Sequence, residues 1–161
     1  MSMIRNRSLS LLAALGLASF AAAAQPVVTY TKAGAKFDDV RDSVKLAIEN
    51  RGLVIDYQAQ IGKMLERTGA DVGSQRKLYA DAQTLQFCSA KLSRKTMEAH
   101  LGNVVMCPYS IVVYATAAKP DEVFVAYRRF MSPGGGPASR QSLDEVEALL
   151  DSIAREAVGK K

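Results

Sequence analysis

Hydrophobic and polar positions along the chain change period several times, and each change marks an element. Val27-Val28-Thr29-Tyr30-Thr31 is a short β-branched run and predicts a first strand. Phe37, Val40, Val44 and Ile48 then recur at helical spacing, with Asp38 and Asp39 in the first turn, where negative charge suits the helix dipole. Arg51 closes this helix, and Gly52 can take a left-handed cap. From Leu53 to Ile61 the period becomes two. Leu53, Ile55, Tyr57, Ala59 and Ile61 point one way, and Val54, Asp56, Gln58 and Gln60 the other, as in a strand with one wet face. A short helix around Lys63–Arg67 stops at Gly69, and residues 69–77 read as a loop. Leu78 to Ala82 fits no period clearly and allows one helical turn. Thr84 to Cys88 reads as a strand with Leu85 and Phe87 on one face. Ser89 is a good N-cap for a helix from about Ala90 to His100, which Gly102-Asn103 ends. Val104 to Met106 leads in extended form to Cys107-Pro108, because a residue before proline is pushed toward extended backbone.

Ser110–Thr116 and Val123–Phe130 predict two strands joined at the turn-forming cluster Lys119-Pro120-Asp121-Glu122, hence a hairpin. Pro133-Gly134-Gly135-Gly136-Pro137 lacks the Lys-Ser/Thr of a phosphate-binding loop and reads as a flexible connector. Ser142 and Glu145 have the spacing of a capping box for a last helix. Its apolar stripe is Val146, Leu149, Leu150, Ile153, Ala154 and Ala157. Helices and strands are mixed, with a hairpin and one-sided alternation. The expected fold class is α+β, a two-layer α/β sandwich with a mostly antiparallel sheet covered by helices.

Residues 1–24 stand apart from this pattern. Arg5 and Arg7 precede an apolar run from Leu9 to Phe20, and Ala22-Ala23-Ala24 supplies small residues before Gln25. These are the parts of a secretory signal peptide, and the run is shorter than the ~20 apolar residues that a span needs. Removing 24 of the 161 residues leaves 137, a single domain over 25–161 with room for its own core. The leader takes two of the 21 basic residues, leaving 19 against 16 acidic ones, a charge of about +3. There is no clustered Lys/Arg stripe, so nucleic acid is not an expected partner. The expected address is outside the cytoplasm, in the periplasm. No membrane association is expected after cleavage. A small molecule or a periplasmic protein is the expected partner, and an exposed hairpin edge allows a homodimer.

The stretch Phe87–Tyr114 holds the only cysteines, Cys88 and Cys107, and the only histidine, His100. The pattern FCSAKLSRK, then CPYSIVVY, then VFVAYRR, with FDDV and LAIENRGLVI earlier, resembles the bacterial domain-of-unknown-function 302 family over about Val27 to Val158. Its sharpest parts are Phe87-Cys88 and Cys107-Pro108-Tyr109. The resemblance implies a small α/β sandwich and an exported branch of that family with a cysteine pair. It carries no established activity, and His100 is not an expected family feature.

Three readings of the cysteines stand side by side. Two cysteines in an exported chain form a disulfide in most cases, here closing 18 intervening residues. A redox-active dithiol would use Pro108 to hold Cys107 and the helix start at Ser89 to lower the pKa of Cys88, although the two-residue cysteine spacing of dithiol catalysts is absent. A soft-metal site, copper above all, would use Cys88, His100 and Cys107 with Met97 or Met106, although no standard zinc or haem spacing occurs. No Gly-x-Ser-x-Gly elbow or His-Glu-x-x-His helix is present, and a Cys107–His100 nucleophile would be disulfide-prone in an oxidising compartment. No cofactor is expected on the first reading. A pocket formed by Pro108, Tyr109, Tyr114, Tyr127 and Arg128 would suit an anionic small molecule, against the alternative of a solvated edge-strand arginine. Arg128 and Arg129 point to opposite faces, so one of them at most serves such a pocket. The chain therefore reads as an exported small-molecule-binding or accessory protein. A thiol-redox or copper-binding protein using Cys88 and Cys107 is the competing class.

Overall fold

The computed structural model describes residues 26–160, and the signal peptide expected over residues 1–24 lies outside them. Five strands form one sheet: β1 (Val27–Ala33), β2 (Ile55–Ala59), β3 (Tyr79–Phe87), β4 (Tyr109–Thr116) and β5 (Lys119–Arg128). Their spatial order is β1-β5-β4-β3-β2, and every neighbouring pair is antiparallel. The helices are α1 (Phe37–Glu49), α2 (Ile61–Thr68), α3 (Ala90–Ala99) and α4 (Gly136–Ala157). The fold is the expected α+β sandwich. Among the described residues no helix is long and apolar enough to cross a membrane.

One sheet face builds the core. Tyr109, Ile111, Val113 and Ala115 of β4 alternate inward and are buried, beside Leu85 and Phe87 of β3 and Val123, Val125 and Tyr127 of β5. Val40, Val44 and Ile48 of α1 and Val146, Leu150 and Ile153 of α4 close over them. Each such side chain contributes roughly 1.5–3 kcal/mol when buried, so this face holds the two layers together. Arg51 joins the ends of the two covering helices, with an ion pair to Glu156 at 2.8 Å and a bond to the Ala47 carbonyl at 2.6 Å. Gly52 takes the left-handed conformation expected of it, at φ +69°. Ser89 caps α3 by accepting a bond from the Leu92 amide at 3.3 Å.

Five elements differ from their sequence reading. β3 begins at Tyr79 in place of a helical turn at Leu78–Ala82, and a bulge between Tyr79 and Asp81 breaks its alternation. β2 is shorter than Leu53–Ile61, and a bulge between Ile55 and Tyr57 turns Tyr57 to the opposite face from Ile55. The hairpin turns at Ala117-Ala118, so Lys119-Pro120-Asp121-Glu122 belongs to β5, where a register shift accommodates Pro120. Residues Leu101–Met106 form a 3-10 helix in place of an extended lead-in, although Cys107 itself is extended as expected, at φ −108°, ψ 134°. Finally, α4 starts at Gly136 with Pro137 in its first turn, where proline is tolerated. The expected capping box is therefore inside the helix: Ser142 donates to the Ser139 carbonyl, and Glu145 pairs with Lys95.

Candidate functional site

The second face of the sheet carries no helix layer like that of α1 and α4, and its residues follow from the strand register. Three rows cross it. The first runs Val27, Arg128, Ser110, Gln86 and Tyr57, with Arg128 opposite Val27 and Gln86 opposite both Ser110 and Tyr57. The second runs Thr29, Ala126, Val112, Thr84 and Ala59. The third runs Thr31, Phe124, Tyr114 and Ala82. Successive rows are two residues apart along the strands, about 7 Å.

The middle row is small, so it forms the floor of a groove of about 510 Å³ between the outer two rows. One end is aromatic. Tyr114 stacks on Phe124 with ring centroids 4.8 Å apart, and Tyr79 meets Tyr114 edge-on at 6.0 Å. Ile61 at the start of α2 adds an apolar wall. α2 lies close against β3 here, because a Cβ on Gly62 would fall 2.8 Å from the Ala82 amide nitrogen. The other end is polar. Gln86 and Ser110 lie within 3.5 Å of one another, and Arg128 stands beside them, exposed. Among the described residues, Arg128 has no ion-pair or hydrogen-bond partner, and it is the only charged side chain lining the groove. The Tyr114 phenol is pushed above its ordinary pKa, first by burial and then by Tyr79, so it stays neutral at physiological pH.

Cys88 lies two residues past Gln86, and Pro108 lies two before Ser110, so the cysteines sit just beyond the polar end. Cys88 and Cys107 are at disulfide-bonding distance, with alpha carbons 6.5 Å apart. The Cys107–Pro108 peptide is cis. Ser93 on α3 brings its hydroxyl to 3.6 Å from the Cys107 sulfur and 2.9 Å from the Tyr109 hydroxyl.

The residues singled out in the sequence divide between the two faces. Tyr114 and Arg128 face the groove. Tyr109 and Tyr127 contribute their rings to the helix-covered side. Tyr109 is pushed up in pKa by burial, an effect its Ser93 hydrogen bond opposes. The Tyr127 hydroxyl donates to Asp151 Oδ1 at 2.9 Å, and Tyr30 donates to the same oxygen at 2.6 Å. Pro108 is exposed beside the cysteine pair. His100 lies apart from that pair, against glycines: its Nδ1 accepts from the Gly102 amide at 3.1 Å, and its ring packs on Gly134 and Gly135. Among the described residues no group of three or more His, Cys, Asp or Glu side chains is arranged to hold a metal ion. Arg129 turns to the other side and pairs with Glu147 at 3.1 Å. Tyr79, Thr84, Gln86 and Ser110 were not singled out in the sequence. Only the register of β3 against β4 assembles them.

The chain matches the family model described as domain of unknown function DUF302 over residues 28–157. It belongs to the DUF302 family. A solved structure with the same architecture is that of an uncharacterized conserved DUF302 protein from Bacillus stearothermophilus. The two share 13% sequence identity and superpose with a TM-score of 0.68, over 83% of this chain and 99% of that one, a likeness of fold. No curated protein matches this DUF302 chain.

Proposed function

We propose that this DUF302 protein is an exported, periplasmic binding or accessory protein that takes a small molecule on the sheet face opposite α1 and α4. We further propose that a disulfide between Cys88 and Cys107 braces the polar end of that face. The observation that carries this reading is the groove itself. It has a volume within the range of small-molecule sites, a floor of small side chains, an aromatic end and a few polar groups at the opposite end. Export is supported by the leader pattern of residues 1–24 and by the paired cysteines, which persist as disulfides in oxidising compartments.

The reading is tested with the neutral, environment-sensitive dye Nile red. Val112 is at the centre of the groove floor, so Val112→Trp fills the trough from a half-exposed position. The native chain should bind the dye with a rise in its emission. Val112→Trp, with an unchanged circular dichroism spectrum, should weaken binding at least about tenfold, as expected when the packed floor is blocked. Equal binding by both chains would sink the proposal.

A further inference from the structure

The two ends of the groove differ in kind, and the separation between them is set by the strands. Arg128 and Phe124 are four residues apart on β5, which places the polar and aromatic rows roughly 14 Å apart. At one end is a guanidinium without a protein partner among the described residues, beside a side-chain amide and a hydroxyl. At the other end the Tyr79 and Tyr114 rings meet edge-on, and Tyr114 stacks on Phe124. Between them, Thr29, Ala126, Val112 and Thr84 leave room for a chain and present no charge.

The neighbouring arginines show what an arginine looks like when it serves the fold. Arg129 and Arg140 both pair with Glu147, and Arg140 also bonds Asp144 and the Phe130 carbonyl. Glu147 further accepts from the Phe130 amide at 2.8 Å, so these groups fix the exit of β5 onto α4. Arg128 has no such carboxylate, although it lies one residue before Arg129.

We propose that the groove is specific for an elongated amphipathic carboxylate: a single carboxylate at Arg128, a short aliphatic spacer over the middle row and an aromatic ring at Tyr79 and Tyr114. This rests on the reading of the face opposite α1 and α4 as a binding site. A planar guanidinium matches a carboxylate in bidentate geometry, with Gln86 and Ser110 at hand to complete its hydrogen bonds. An aromatic terminus gains edge-to-face and offset-stacked contacts that a simple alkyl end does not. A doubly charged ligand would leave its second charge over Ala126 and Val112, where no cation is available to it.

The probe is phenylpentanoate, with its neutral amide as the comparison, titrated calorimetrically into the native chain and into Arg128→Gln and Arg128→Lys. Arg128 is exposed and has no partner among the described residues, so these variants are expected to fold as the native chain does. Phenylpentanoate should bind the native chain at least about tenfold more tightly than the amide, the scale of a hydrogen bond to a charged group. That preference should vanish in Arg128→Gln and return in part in Arg128→Lys. Equal affinity of acid and amide, or an unchanged preference in Arg128→Gln, would overturn the inference and leave the groove reading standing. Failure of both compounds to displace Nile red would also overturn it, and the dye's response to Val112→Trp would then decide the groove reading separately.

Discussion

Gly135 is where the chain turns from the loop after β5 into α4, and the space for a side chain there is already taken. Its φ is +79°, and an added Cβ would lie 2.5 Å from His100 Cβ and 2.8 Å from Ser139 Cβ. Gly136 also has positive φ, at +62°, but nothing stands within 4 Å of where its Cβ would be. The two positions separate backbone strain from steric clash. Gly136→Ala should cost about 1–2 kcal/mol through the left-handed backbone alone. Gly135→Ala should cost about 2–4 kcal/mol, because overpacking against His100 and Ser139 adds to that strain. Urea denaturation of both variants checks the difference, and equal losses would contradict this account of the turn. The same contacts give His100 its role. Its Nδ1 receives the Gly102 amide, and its ring fills the hollow that the glycines leave. A lone histidine between two cysteines drew attention in the sequence because it was scarce, but scarcity carries no information about distance.

A second group at this scale sets the behaviour at high pH. Burial raises the Tyr127 pKa first, and the hydrogen bond to Asp151 and the charge of Asp151 raise it further. Tyr30 is raised for the same reasons in the same order. In the unfolded chain both titrate near 10. Their contribution to stability is therefore complete below pH 10. It is lost as the pH rises above that value, because the unfolded chain releases protons that the folded one retains. Urea denaturation between pH 8 and pH 11 should show a falling stability, and Tyr127→Phe should make the fall shallower. An identical slope in that variant would contradict the shared contact at Asp151.

At the scale of the elements, Cys88 follows directly on the last residue of β3, and Cys107 precedes β4 with only Pro108 between. A bond between them closes a loop of 19 positions containing α3 and the 3-10 helix. Loop-closure entropy then predicts that Cys88→Ala/Cys107→Ala lowers stability by about 3 kcal/mol under oxidising conditions. A reductant should lower the native chain to the same level. A native chain indifferent to reductant would mean that the bond is not formed in solution. The elements that were legible in the sequence are those with strong local signals. The periodicity of α1, its Gly52 terminus and the Ser89 cap of α3 all depend on residues within a turn of one another. The illegible ones depend on long-range pairing. One bulge turns Tyr57 to the other face of β2, a second disguises the start of β3, and the hairpin turns at Ala117-Ala118, which carries no turn residue, two positions before the proline that suggests it. The start of α4 was missed because its glycines and Pro137 read as breakers, whereas proline in a first helical turn is acceptable.

For the whole molecule, the main consequence is asymmetry. One sheet face is sealed by α1 and α4, and the other carries a graded surface from Arg128 through small residues to an aromatic row. The candidate site was half legible for a reason of parity. Of the residues the sequence suggests for one pocket, Tyr114 and Arg128 share this face, but Tyr109 lies five positions from Tyr114 on one strand, and Tyr127 adjoins Arg128. Strand alternation alone sends both to the opposite face. Thr84, Gln86 and Ser110 gave no signal of their own, since isolated polar residues on a wet strand face are ordinary. Their grouping needs β3 and β4 in register, and β5 in register with β4 brings Arg128 beside them. The measurement that tests the binding claim most directly is the paired titration of the native chain and Val112→Trp with Nile red. Saturable binding by the native chain, lost on filling the groove while the fold is retained, is the predicted result. Binding that survives Val112→Trp unchanged, or no binding by the native chain, would contradict the assignment of this face as the site.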